Sequence, residues 1–149
     1  MDGSGETAYL GISGGTAGGF DGASDAGMVD ALLMKIAGLL RELIAHDQPG
    51  RIDLLELPLS AACLAALGAR LGHGEVAVAL NMPGNCQITE TAFPGVWWNS
   101  QADEAGRLVE LFIEVAVVPQ FLHANVDNMR FGHQLLVDAA SFNQRRKSP

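Results

Sequence analysis

The stretch Arg107-Leu-Val-Glu-Leu-Phe-Ile-Glu-Val-Ala-Val117 sets Val109, Leu111, Ile113, Val115 and Val117 on one side of an extended chain and Glu110, Phe112 and Glu114 on the other. Successive side chains of a strand point to opposite faces, so this period of two reads as a strand with one buried face. Working back from it, Val76, Val78 and Leu80 alternate with Ala77 and Ala79, the turn residues Asn81-Met-Pro-Gly-Asn85 follow, and Cys86 to Ala92 runs extended again. Pro94-Gly95 interrupts the run, Val96-Trp97-Trp98 resumes it, and a polar loop over 99–106 leads into the opening stretch. Such a succession predicts an antiparallel meander.

Helical patterns flank it. From Ser24 or Asp25, either of which can cap a first turn, Val29, Leu32, Leu33, Ile36, Leu40, Leu43 and Ile44 recur at three- and four-residue steps up to Pro49-Gly50. Arg51 to Leu57 is a short extended segment stopped by Pro58. A second helix is expected over about 60–71, with Ser60 as its cap, Cys63, Leu64, Leu67 and Leu71 on one side, and Gly72 as its stop. A final helix is expected to begin near Pro119 and to be interrupted near Gly132. The class is therefore α+β, an antiparallel sheet of about four or five strands packed with two to three helices.

Charge and composition narrow the function. The 149 residues include 17 acidic and 9 basic side chains, a net charge of −8, and 48% are hydrophobic. One domain with a real core is expected, and phosphate backbones are repelled, so nucleic acid is a disfavoured partner. Half of the 18 glycines fall in the first 27 residues, which predicts a flexible arm over 1–24, a single domain over 25–143 and a basic tail over 144–149. Gly11-Ile-Ser-Gly-Gly15 resembles a phosphate loop only superficially, lacking the strict spacing and the Lys-Ser/Thr pair. No apolar run is long enough to insert in a membrane, and Met1-Asp-Gly-Ser-Gly-Glu6 has no basic leader character, so a cytoplasmic location is expected.

Catalytic signatures are missing from the sequence. His46, His73, His123 and His133 have no helical metal-pair spacing, and Cys63 and Cys86 are too few for a cluster, so no metal or other cofactor is expected. Cys86 with a histidine leaves a Cys/His-dependent enzyme or redox protein as the competing class.

Three stretches carry a family resemblance: Leu71-Gly-His-Gly-Glu-Val76, Gln87-Ile-Thr-Glu-Thr-Ala-Phe-Pro-Gly-Val-Trp97 and Ile113-Glu-Val-Ala-Val-Val-Pro119. Together, and in this order, they resemble the C-terminal conserved region of the hydrogenase expression proteins HupH and HyaF. Departures are His73 where that pattern usually has an acid and Trp98 where a basic residue is common. The resemblance implies an accessory chaperone rather than an enzyme, acting in NiFe-hydrogenase maturation. Its implied partners are the iron–sulfur small-subunit precursor, before twin-arginine export, and other hydrogenase accessory proteins.

Within these stretches Gly72 and Gly74 are expected to end a helix and admit the chain to the sheet, and Pro94-Gly95 to form a type II turn. Glu75 and Glu90 are carboxylates in apolar surroundings, which must meet solvent, a cation or a partner. Trp97 and Trp98 point to opposite faces, so one can be core and the other exposed as an interface anchor. Glu110 and Glu114, on the acidic face of the opening stretch, complete the set of candidate partner-binding residues.

Overall fold

The structure, a computed structural model, describes residues 22–146, so the glycine-rich arm expected over 1–24 lies almost wholly outside the described residues, as does Lys147 of the expected tail. The described residues form two units, one running to Pro119 and one from Gln120. The first holds helix α1 (Gly22–His46), strand β1 (Gly50–Asp53), helix α2 (Ala61–Leu71) and strands β2 (Ala77–Leu80), β3 (Asn85–Glu90), β4 (Val96–Ala102) and β5 (Leu108–Val115). The five strands make one antiparallel sheet in the order β1-β5-β4-β3-β2. The fold is thus α+β. The second unit holds a short 3₁₀ turn at Gln120–Leu122 and helix α3 (Val126–Arg146).

Local chemistry fixes the helix ends. Ser60 Oγ accepts a hydrogen bond from the Cys63 amide at 3.0 Å, capping α2, and donates at 2.9 Å to Asp25 Oδ2 in the first turns of α1. One hydroxyl therefore ties the two helices together. Gly72 ends α2 at φ 63°, and Asp47 takes the same left-handed role after α1 at φ 55°. Val29, Leu32 and Ile36 of α1 and Cys63, Leu67 and Leu71 of α2 close over Ile52, Val96, Trp98, Leu111, Ile113 and Val115, so one sheet face and two helices make the core.

Several sequence expectations are corrected. Asn99, Ser100 and Gln101 are not loop: they pair with Phe112, Leu111 and Glu110, because a partner strand of matching length draws polar residues into the ladder. α3 begins at Val126 instead of Pro119, capped by Asn125, whose Oδ1 accepts from the Asp127 amide at 2.8 Å. It runs unbroken through Gly132, since a single glycine lowers helix stability by only about 1 kcal/mol and removes no hydrogen bond. Arg145 and Arg146 belong to this helix.

Candidate functional site

The three motif stretches meet at one end of the sheet. The Ala92 amide donates to Leu71 O at 2.9 Å and the Gly74 amide to Glu90 O at 2.8 Å, joining the first stretch to the second. The Ala116 amide donates to Gly95 O at 3.0 Å, and Trp97 Nε1 donates back to Ala116 O at 3.0 Å, joining the second to the third. Gly74 is required by the docking, because a Cβ there would stand 2.6 Å from Thr91 O and 2.8 Å from Glu90 Oε2. Gly95 sits at φ 83°, and the Val96 amide reaches Phe93 O at 3.0 Å, the closure of a type II turn with Pro94 at its second position. Thr91, buried, bonds through its hydroxyl to both the amide and the carbonyl of Phe93.

The six candidate partner-binding residues separate in space. Glu90, Trp97 and Glu114 lie in one cross-strand row, continued by Arg51 of β1, on the sheet face opposite α1 and α2. Trp98 faces the helices and packs below Gly68 of α2. The expectation of one buried and one exposed tryptophan is corrected: each is 7% exposed. Trp97 can be covered as fully as Trp98 because its indole N–H is satisfied by Ala116 O. Glu114 is buried, Glu90 and Glu110 are half-buried, and Glu75 is exposed just before β2. Glu110 faces Gln101 and Cys86 further along the same face as Glu90.

What remains open at the motif end is an apolar rim with acids in it. Phe93, Val76, Val117 and Val118 are all large and exposed. Phe93 stands in the turn between β3 and β4, and Val117 and Val118 follow directly after β5. The carboxylates of Glu75 and Glu90 carry no ion pair or hydrogen bond among the described residues. The sequence reading missed Phe93 and Thr91, of which only the position of Phe93 beside the Pro94-Gly95 turn was a usable signal, and it set Val117 on the buried side of a strand that ends at Val115.

Elsewhere the chemistry is structural. Arg51 stacks 3.5 Å above the Phe112 ring and lies 3.5 Å from Asp53. Burial, aided by the Asp25 carboxylate, pushes the Cys63 thiol up, and burial with Glu110 nearby does the same to Cys86. Reactive cysteines need the opposite shift. Two depressions, of about 550 and 560 Å³, are open to solvent. The first lies along β1 beside Lys35 and Glu56, the second between Gly84 and Glu104. No group of three or more metal-ligating side chains occurs among the described residues, and no helix there is long and apolar enough to cross a membrane.

Comparison with known proteins follows the same residues. The family described as HupH hydrogenase expression protein, C-terminal conserved region, matches over residues 28–142. The hydrogenase expression/formation protein HupQ of Azotobacter chroococcum mcd 1 is 39% identical over 76 residues, covering 51% of this chain and 27% of that protein. HoxQ of Azotobacter vinelandii, with the same description, is 35% identical over 100 residues, 67% of this chain and 35% of that protein. The chain thus spans about a third or less of either curated relative. The solved structure of the hydrogenase expression protein HupH from Thiobacillus denitrificans ATCC 25259 superposes with a TM-score of 0.74 at 37% identity, covering 78% of this chain and 97% of that one.

Proposed function

The chain belongs to the HupH hydrogenase expression proteins through their C-terminal conserved region, and from that footing we propose that it is an accessory chaperone of NiFe-hydrogenase maturation. Its client in this reading is the iron–sulfur small-subunit precursor, met in the cytoplasm before export. The observation that carries the reading is the motif end itself, where three separated stretches build an exposed apolar rim around Glu75 and Glu90. A precursor leader with a basic segment followed by an apolar one complements that surface in both respects. The charges set encounter rate and selectivity, and the apolar residues supply the larger part of the affinity.

The test is capture of the small-subunit precursor from cells making hydrogenase. Phe93→Ala and Glu90→Gln are expected to weaken capture about tenfold with little change in melting temperature. Binding indifferent to deletion of the leader, or recovery of the large subunit alone, removes the proposed client. The competing Cys/His enzyme is opposed by the two raised, buried thiols. Replacing both cysteines with Ser is expected to leave hydrogenase maturation intact; loss confined to Cys86→Ser would restore that alternative.

A further inference from the structure

The two edges of the sheet carry opposite chemistry. Leu54 N bonds Leu111 O, which puts Ile52 and Leu54 in the ladder with β5 and turns the backbone groups of Arg51 and Asp53 to the open edge of β1. Charged side chains stand at both of those positions, a common defence of an edge against further pairing. On the other side Glu90 N bonds Val76 O, so Val76, Val78 and Leu80 pair with β3 and the backbone groups of Ala77 and Ala79 face outward. Both alanines are exposed, and Ala77-Val-Ala-Leu80 has no charge and no proline. The Gly74–Glu90 bond extends this edge back into the first motif stretch.

We propose that the open edge Gly74–Leu80 receives an extended segment of a basic partner polypeptide as a sixth strand. The inference rests on the client-binding reading for its occupant and adds the mode of recognition. Main-chain hydrogen bonds from Ala77 and Ala79 supply sequence-tolerant affinity, and the short alanine side chains leave room for those of the incoming strand. Charge selects the occupant. Between Arg70 and Arg107 the chain has no Lys or Arg and carries Glu75, Glu90, Asp103 and Glu104. A second copy of the chain would bring the same acids against these, whereas lysines or arginines flanking an apolar strand would be drawn to Glu75 at the entry of the edge.

Ala79→Pro deletes an outward amide without touching the β2–β3 ladder, and is expected to weaken binding of the purified small-subunit precursor at least about tenfold. Ala79→Lys sets a cation against the basic occupant and is expected to weaken binding likewise, while Ala79→Glu retains or improves it. That pair decides the matter if the proline variant is unstable. Wild-type affinity in Ala79→Pro, or equal losses in the Lys and Glu variants, overturns the edge while leaving the client in place. Failure of the wild-type protein to bind precursor overturns both. A wild-type dimer in sedimentation that Ala79→Pro dissociates assigns the edge to a second copy and overturns the basic partner.

Discussion

The two ends of the sheet are closed by different means. At the β4–β5 hairpin every bond is local: Asp103 Oδ1 accepts the Ala105 and Arg107 amides at 2.9 Å, its Oδ2 accepts Arg107 Nε at 2.8 Å, and the Gly106 amide returns to Asp103 O at 2.9 Å. At the motif end the closing bonds join Leu71 to Ala92, Gly74 to Glu90 and Gly95 to Ala116, pairs that lie far apart in sequence. The hairpin carboxylate is used up by its own turn, while Glu75 and Glu90 remain available. An end held by distant stretches is rigid enough to present a surface, and an end held by its own loop is only a turn.

Four substitutions test that contrast. Gly74→Ala drives a Cβ to 2.6 Å from a backbone oxygen that cannot rotate away, and should cost about 2–3 kcal/mol in denaturant unfolding. Trp97→Phe strands the buried Ala116 O and should cost about 1–2 kcal/mol by the same measurement. Gly106→Ala meets nothing within 4 Å and suffers only its φ of 78°, so a cost of about 1 kcal/mol is expected. Equal losses at Gly74 and Gly106 would erase the difference between the ends.

The smallest effect belongs to Asp103→Asn and shows in pH dependence. The Arg107 amide chiefly holds the Asp103 carboxyl below its ordinary value; desolvation opposes it, and the Arg107 side chain and the Ala105 amide add to the lowering. A carboxyl lowered on folding contributes stability that is full above its unfolded pKa, about 3.9, and lost as pH falls through the folded one. Thermal melts of the wild type and Asp103→Asn should therefore differ most near neutral pH and converge in acid.

Much of the fold is legible in residue order. Ser60 before an apolar stripe and Gly72 after it marked α2 to within a residue, because capping bonds span three or four positions. Alternation from Val109 to Val115 marked the span of β5 for the same local reason, but the expectation of one buried face is corrected. Phe112 and Glu114 are buried along with Leu111, Ile113 and Val115, while Val109, beside the irregularity in the β4–β5 pairing, and Val117, beyond the strand end, are exposed. The end of β4 was not legible, since Asn99 to Gln101 become strand only through pairing with β5. Nor was the burial of Trp97, which depends on a carbonyl supplied by Ala116.

The candidate site divides along that line. Composition and motif order alone determined an acidic α+β chain of the hydrogenase expression family, with Glu75, Glu90 and the Pro94-Gly95 turn in view. Tertiary structure decided that the motifs form one surface, that both tryptophans belong to the interior, and that Phe93, Val117 and Val118 stand outside it. Periods and caps are set by neighbours along the chain. Exposure at a site is set by whichever distant backbone comes to lie against it.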